Sequence, residues 1–311
     1  MPLGTIIVIA AGLVSALFST AAVFGSGLGL LLAYFALMPI LLIGLSRGRQ
    51  AVNFTTLCGV ISAFVLSSPY QGILYCATIA LPAWLIVHTA LTPQTKNKTK
   101  SNIIPIGEII SRLVFLSAII LIASIIIFLD KPSDVALAVE TFLKKIIAYN
   151  RPDAIITTND QILVERVVPV FPVIVVSSWL LMAFINAVVA QAILIKAGIN
   201  IKAAFSYSRI NVPEWLYWAL SGSVASILFG SENIEYIGRN LSLVFLIPFL
   251  FIGLSVIHKI ANQFRSPTLV LITFYVLMVI SSWPTYMAVM LGFFEKWTNF
   301  RKKIKPRLPK D

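Results

Sequence analysis

The chain has 311 residues, of which 59% are hydrophobic and 12% are charged, whereas soluble domains average roughly 45–50% and 25%. This composition excludes an ordinary soluble fold. The net charge is +12, but the basic stretch at 296–311 has only Trp297 and Phe300 as aromatic residues and no recognisable fold of its own, so we expect no nucleic-acid partner. Lys and Arg near the ends of membrane spans collect on the cytoplasmic side, which explains the excess more simply.

Apolar runs of about twenty residues recur along nearly the whole chain, and each is long enough to cross a hydrocarbon core about 30 Å thick. They predict an all-α, polytopic transmembrane helix bundle with about eight or nine segments in the lipid bilayer. The predicted spans are 5–24, 28–45, 51–67, 71–90, 106–129, 167–195, 215–230, 238–258 and 268–292. The chain divides accordingly into membrane helices at 1–129, an extramembrane segment at 130–165, membrane helices at 166–295 and a basic tail at 296–311.

Two stripes of small residues lie at helical spacing within the predicted spans. In lipid, small residues let helix backbones approach closely, so that dispersion contacts drive association. We expect these stripes to pack against another helix of the same chain, or alternatively against a separate subunit. The stripes are Ala11, Ser15 and Ser19 in the first span and Gly222, Ser226 and Gly230 in the seventh.

Segment 130–165 holds half of the acidic residues and too short an apolar run to cross a membrane. Its apolar residues form one stripe of an amphipathic helix, with Ser133 placed as the N-cap. We expect this helix outside the membrane, in the periplasm, where it lies on the membrane surface, covers a cavity, binds a partner or packs on the bundle itself. The stripe consists of Val135, Val139, Phe142, Ile146 and Tyr149.

Glu108 and Arg112 are the clearest ionisable pair inside a predicted span. They lie four residues apart with the acid first, which is the favoured orientation for an ion pair on one helix face. A charge at the bilayer centre costs about 2.5–3.5 kcal/mol on insertion scales, so such residues are candidates for function. The alternatives are an interfacial pair that closes a span, which the position favours, and a substrate contact.

Four further polar residues lie in or at the ends of apolar runs: Asn186, Gln191, Arg239 and Asn240. Asn186 and Gln191 need hydrogen-bond partners once they leave water, so they either link helices or contact a solute or ion. The chain has only two His residues, His88 and His258, each at a span end. We therefore predict no metal site, no cofactor and no catalytic residue, and no P-loop or zinc-protease motif is visible.

The region from Val212 to Lys303 contains "VPEWLYWAL", "IGRNLSLVFLIPFLFIGLSVIHKIA" and "MLGFFEKWTNFRKKI". This order of motifs resembles the YybS-like family of bacterial inner-membrane proteins, a domain of unknown function. The resemblance implies that Asn240 and Gly253 are family-like positions, and the sequence departs from the pattern at Ile252 and Glu295. The family is distantly similar to the substrate-capture subunits of energy-coupling-factor transporters, which dock on a partner permease.

Two functions are consistent with this sequence. The first is a small-solute transport component that acts with an ion gradient or an energising membrane-protein partner. The second is a scaffold without transport activity that organises envelope proteins. We expect no enzymatic activity, because none of the motifs that support it is present.

Basic residues follow the second, fourth, sixth and eighth spans, which places the N-terminus in the cytoplasm of a bacterial inner membrane. Nine full crossings would put the basic tail outside, so one segment must not cross. Trp283-Pro284 interrupts 268–292, and proline in a helix interior costs about 3 kcal/mol, which predicts a hairpin there and a cytoplasmic C-terminus. The short seventh span is the alternative. The polar groups expected to line a cavity at this turn are Ser281, Ser282 and Tyr286.

Overall fold

A computed structural model of the chain describes residues 3–21, 26–92, 103–128, 134–150, 157–199, 204–205 and 210–304. Fifteen α-helices account for most of these residues. They are α1 (Leu3–Thr20), α2 (Gly27–Tyr34), α3 (Met38–Arg47), α4 (Arg49–Leu66), α5 (Pro69–Tyr75), α6 (Leu81–Ala90), α7 (Ile106–Phe128), α8 (Asp134–Asn150), α9 (Thr158–Val167), α10 (Phe171–Lys196), α11 (Trp215–Phe229), α12 (Glu232–Ala261), α13 (Pro267–Ile280), α14 (Trp283–Thr298) and α15 (Phe300–Lys303).

Four short elements are also present among the described residues. A π-helical turn at Cys76–Ala80 joins α5 to α6, and a 3₁₀ turn at Val168–Val170 joins α9 to α10. Two strands of two residues each, β1 (Ile103–Ile104) and β2 (Ala204–Phe205), pair in parallel. The described part of the chain is therefore helical apart from this one small ladder, as the apolar runs predict.

Every predicted span contains a helix or a pair of helices, and the transmembrane helix bundle is confirmed. By length and apolar composition, six helical stretches of the described residues suffice to cross a membrane, or seven if the bent pair α13–α14 is one span. Two apolar helices, Gly4–Thr20 and Trp215–Phe229, are shorter than a full crossing. The predicted number of eight or nine segments is therefore not established.

The chain forms two compact units that are not consecutive in sequence. The first unit contains residues 1–113 and 178–206, and the second contains residues 114–177 and 207–311. Two of the three unit boundaries fall inside long apolar helices, one in α7 and one in α10. The sequence-based division into consecutive segments was drawn from hydropathy, whereas these two units are defined by which residues pack together.

In the first unit, α1 packs against α4 through small residues. A Cβ added at Gly12 would lie 2.6 Å from the Thr55 carbonyl oxygen and 2.8 Å from the Gly59 nitrogen, so the two backbones touch at this point. The buried Ser15 hydroxyl donates to the Ala36 carbonyl at 2.6 Å and accepts from the Tyr75 hydroxyl at 2.8 Å. Ser15 from the predicted stripe thus links α1 to Ala36 and to Tyr75 of α5, while Ala11 and Ser19 are half-buried.

In the second unit, α11 runs antiparallel to α12. The Ser242 hydroxyl donates to the Ser223 hydroxyl at 2.9 Å, and a Cβ at Gly238 would lie 2.2 Å from the Ser226 hydroxyl oxygen. Of the predicted stripe in α11, Ser226 therefore faces α12, and Gly230 closes against Ile234 at the turn between the helices. Gly222 faces open space, because the buried contact position is its neighbour Ser223.

Helices α12 and α14 run in the same direction. Gly253 lies against Ala288, and further along both helices Lys259 donates to the Arg301 carbonyl. Helix α13 lies between α12 and α14 in sequence. The chain bends by 114° from α13 to α14, at the serines that follow Ile280. The chain leaves α12 at Ala261 and has returned to the same end of α12 by Arg301, which is the geometry of the predicted hairpin.

The predicted amphipathic helix is α8, whose described residues begin after the proposed N-cap, Ser133. Phe142 contacts the ring of Phe171 in the same unit at a centroid distance of 5.9 Å. Val139 is half-buried, whereas Phe142, Ile146 and Tyr149 keep large exposed fractions. Packing on the chain itself therefore accounts for only one part of this face.

Candidate functional site

A cavity of about 630 Å³ opens at one end of the second unit. It lies where the start of α11 meets the ends of α12 and α14, because α11 is antiparallel to the other two helices. One side of its wall is polar, and the wall is apolar where Gly292 of α14 lies against α12. The lining residues are Asn211, Val212, Glu214, Tyr217, Ile252, Lys259, Gly292, Glu295, Lys296, Asn299, Arg301 and Lys302.

Asn299 shapes this site through its backbone. It adopts a left-handed conformation, with φ 50° and ψ 42°, and ends α14. Among residues other than glycine, asparagine tolerates this conformation best, because its short side chain can bond locally. The turn folds the chain back on itself, so that Arg301 in α15 reaches Glu295 in the last turns of α14.

Glu295 and Arg301 form a buried ion pair. The Arg301 Nε donates to the Glu295 Oε1 at 2.9 Å, and the two side chains are only 12% and 7% exposed for Arg301 and Glu295. The Arg301 backbone N–H also donates to Oε1, at 3.2 Å, and the guanidinium reaches the Asn211 Oδ1 at 3.1 Å. The other carboxylate oxygen, Glu295 Oε2, is buried and has no hydrogen-bond partner among the described residues.

Two lysines complete the polar wall. The Lys296 Nζ donates to the Glu214 Oε1 at 2.9 Å and lies 5.0 Å from the centre of the Tyr217 ring, where a cation is attracted by the ring face. The Lys259 Nζ donates to the Arg301 carbonyl oxygen. Both lysines lie in the last turns of their helices, where a positive charge also compensates the helix dipole.

Aromatic rings hold the three helices together beneath the polar wall. Tyr217 of α11 contacts Phe249 of α12 at 4.9 Å and Phe293 of α14 at 5.6 Å between ring centres. Edge-to-face contacts of this kind stabilise by about 0.5–1.5 kcal/mol beyond the buried area. Tyr217, which lines the cavity, is therefore packed against both neighbouring helices.

Among the charged residues, four cations and two carboxylates line the cavity, which leaves a net charge of +2. Glu295 pairs with Arg301 and Glu214 pairs with Lys296. Among the described residues, Lys259 and Lys302 have no carboxylate within ion-pair distance, since the ion pairs of this region involve other cations. Their charges are available to an anion in the cavity.

The predicted pair of Glu108 and Arg112 lies elsewhere, in the first unit. The Arg112 Nη2 and the Glu108 Oε1 are 2.5 Å apart, as the spacing predicts, and Arg112 also donates to the Thr89 hydroxyl at 3.1 Å. Both side chains of the pair are nearly half exposed, at 44% for Arg112 and 47% for Glu108. This pair therefore lies at the unit's surface, and the Thr89 contact ties α7 to the end of α6.

The predicted amides occupy buried positions at breaks between helices. The Asn186 Nδ2 donates to the Tyr34 carbonyl at 2.8 Å, which links α10 to the end of α2 in the first unit. In the second unit the Asn240 Nδ2 donates to the Pro169 carbonyl at 3.2 Å, at the 3₁₀ turn where the regular helix bonds are interrupted. Gln191 is buried in α10, and Arg239 pairs with Glu235 on the half-exposed face of α12.

The three residues predicted to line a cavity at the α13–α14 break lie at the other end of α14 from the cavity described above. Ser281 is half-buried, and Ser282 and Tyr286 are exposed. Gly253 is the predicted residue that comes nearest to the site, because it forms the crossing with Gly292 in the cavity wall.

Sequence reasoning missed the residues that line this cavity. Glu295 and Arg301 are six residues apart, which is not a helical spacing, so no helix pattern pairs them. Glu214, Lys259 and Lys296 stand at span ends, where charged residues are ordinary. A usable signal was Glu295, an acidic residue next to the basic stretch, followed by Asn299, which can end a helix in the left-handed conformation.

Metal binding has no support in the described residues, where no three His, Cys, Asp or Glu side chains come together. The charged groups of the cavity instead suit a polar solute, because lysine ammonium groups donate hydrogen bonds and the Glu295 Oε2 accepts them.

A helix bundle with several spans of sufficient length and apolar character defines a polytopic α-helical membrane protein. More particularly, the chain belongs to the DUF2232 family of predicted membrane proteins, whose family model matches residues 13–295. No curated protein and no solved structure matches the chain.

Proposed function

We propose that this chain is a small-solute transport component of the bacterial inner membrane, which binds its solute in the cavity of the second unit. The observation that carries the proposal is the cavity itself, about 630 Å³ in volume and lined by six charged side chains. Volumes of about 300–1,000 Å³ are typical of small-molecule sites. Charged residues are only 12% of this chain, so their concentration around one cavity calls for a function.

The role proposed is binding rather than catalysis. The chain contains no P-loop, so the energy for transport comes from an ion gradient or from an energising partner protein. Both termini are placed in the cytoplasm, because the basic loops and the basic tail favour that side. The similarity to energy-coupling-factor capture subunits is an analogy at the level of a helical bundle and adds little weight.

A scaffold role is the second candidate, and the exposed apolar residues of α8 favour it. Phe142, Ile146 and Tyr149 are exposed although they are large and apolar. Exposed apolar stripes of this kind occur at protein and membrane interaction sites. In this alternative, α8 holds another envelope protein and the cavity has no transported solute.

The test is purification in mild detergent with mass spectrometry of the bound small molecules and proteins. A transport component should copurify with a small molecule that raises its melting temperature, because a ligand at a hundred times its Kd adds about 2.7 kcal/mol of stability. A substitution in the cavity wall, Lys302→Gln, should reduce the amount bound. A scaffold should instead retain a protein that is lost in the variant Phe142→Ser/Ile146→Ser, with no small molecule dependent on Lys302.

A further inference from the structure

We infer that the cavity of the second unit recognises a phosphate ester that carries a free hydroxyl group. This inference rests on the proposed function and names the class of its solute. It is carried by three features of the cavity: the surplus of positive charge, the arrangement of the lysines and the unpartnered carboxylate oxygen.

The surplus of charge selects an anion. The six charged residues of the lining sum to +2, and a phosphate monoester carries about −1.5 to −2 near pH 7. A singly charged anion, such as a monocarboxylate or the phosphodiester of a phospholipid headgroup, would neutralise half of the surplus and should bind less tightly than a phosphate monoester. Burying an uncompensated charge is costly, so a ligand whose charge matches that of the wall is favoured.

The lysines suit the shape of a phosphate group. Lys259, Lys296 and Lys302 come from the ends of α12 and α14 and from α15, so they approach the cavity from three separate elements. Lysine binds phosphate as a point charge with three donors, and a phosphate offers three strong acceptor oxygens. Lys296 and Arg301 already pair with Glu214 and Glu295, so Lys259 and Lys302 supply the positive charge that is left for the ligand.

The Glu295 Oε2 requires a hydrogen-bond donor. This oxygen is buried and lacks a partner among the described residues, while the other oxygen of the same carboxylate accepts two bonds from Arg301. Leaving a buried acceptor unsatisfied is unfavourable, and more so for a charged group. A hydroxyl group on the ligand would satisfy it, whereas the dianionic phosphate group of an ester has only acceptors.

This chemistry could reach the cavity from either of two sources. A soluble sugar or glycerol phosphate would enter from the aqueous side, and the glycerol phosphate headgroup of an anionic phospholipid would enter from the bilayer. Basic pockets between membrane helices bind anionic headgroups by the same contacts. The experiment therefore includes one arm for each source.

In the first arm, purified protein is titrated at pH 8 with glycerol 3-phosphate, methyl phosphate, glycerol and glutamate, and its melting temperature and heat of binding are measured. Methyl phosphate is mostly dianionic at this pH and has no hydroxyl group, so it isolates the contribution of the Glu295 contact. We expect the tightest binding for glycerol 3-phosphate, weaker binding for methyl phosphate and none for glycerol. Equal affinity for the two phosphates would overturn the assignment of a hydroxyl donor to Glu295.

Lys302→Gln is the test variant, and Lys303→Gln is its matched control on the same short helix. Lys302 lines the cavity, whereas Lys303 does not contribute to its wall. Losing one charge-assisted bond should weaken glycerol 3-phosphate binding about tenfold or more in Lys302→Gln and leave the control near the native affinity. Equal losses in both variants would reduce the effect to general electrostatics and overturn the site.

In the second arm, the protein is placed in lipid discs of phosphatidylcholine with or without phosphatidylglycerol. Stabilisation by phosphatidylglycerol that depends on Lys302 but not on Lys303, without binding of glycerol 3-phosphate, supports the phosphate ester and overturns the transport proposal. Binding of glutamate that depends on Lys302, without binding of either phosphate, overturns the inference and leaves the transport proposal intact. Absence of binding in both arms overturns the inference.

Discussion

Gly253 and Gly292 lie at the point where α12 and α14 cross. Gly253 packs against the carbonyl of Ala288, which is four residues before Gly292, and Gly292 packs against the carbonyl of Phe249, which is four residues before Gly253. A Cβ at Gly253 would lie 1.7 Å from the Ala288 carbonyl oxygen, and one at Gly292 would lie 1.8 Å from the Phe249 carbonyl oxygen. Such contacts require glycine, because backbone atoms cannot move aside as a side chain can. The crossing holds α12 and α14 together just below the cavity.

We predict that Gly253→Ala or Gly292→Ala destabilises the second unit by about 1–3 kcal/mol or more, since overpacking a close contact forces the backbones apart. The matched control is Gly222→Ala, where the added methyl group meets open space. That change should stay within about 0.5 kcal/mol, as surface substitutions usually do. The measurement is the melting temperature of each purified variant in detergent, and similar values for all three would contradict the close crossing.

The buried pair of Glu295 and Arg301 gives a second prediction. Removing one partner of a buried ion pair leaves the other charge uncompensated and costs about 3–5 kcal/mol, so Glu295→Gln and Arg301→Gln should each lower the melting temperature strongly. The double variant Glu295→Gln/Arg301→Gln should recover part of the loss. Glu214→Gln is the control, because Glu214 is 80% exposed and exposed pairs contribute about 0–1 kcal/mol. A control as damaging as Glu295→Gln would show that burial does not govern this site.

The pair of Glu108 and Arg112 gives a third prediction, of smaller size. Because both side chains are nearly half exposed, we expect Glu108→Gln to cost about 0–1 kcal/mol. Arg112→Gln should cost more, since it also removes the bond to the buried Thr89 hydroxyl. The double variant should lose at least as much folded protein as Arg112→Gln alone, because it also lacks the bond to Thr89. Equal yields from the two single variants would remove any role for the Thr89 contact.

The location of the helices could be read from the sequence, and their packing could not. In lipid an apolar run of span length must satisfy its backbone bonds internally, so hydropathy alone places the helices. Spacing also identified the pair of Glu108 and Arg112 and the packing role of Ser15. No local pattern shows that α7 and α10 each contribute to both compact units, because each is one continuous helix within one predicted span.

The cavity was beyond the reach of sequence patterns for a related reason. Its charged residues lie at the ends of α11, α12 and α14 and in the short helix α15. Charges at span ends are ordinary in membrane proteins. What distinguishes them is that α11 is antiparallel to α12 while α14 is parallel to it, which brings the three ends together. The parallel direction of α14 depends on the break after Ile280, whose angle a sequence does not specify.

The last prediction concerns the side of the membrane on which the chain ends. Lys259 and Arg301 are in contact, so the loop after α12 and the start of the basic tail lie at one end of the second unit. Single cysteines introduced at Arg265 and Lys303, after replacement of Cys58 and Cys76, should therefore react with a membrane-impermeant maleimide from the same side. The positive-inside rule makes that side the cytoplasm, so labelling should occur in inverted vesicles and not in intact spheroplasts. Labelling of the two positions from opposite sides would contradict the hairpin formed by α13 and α14, whereas labelling of both from outside would leave the hairpin intact and reverse the predicted orientation.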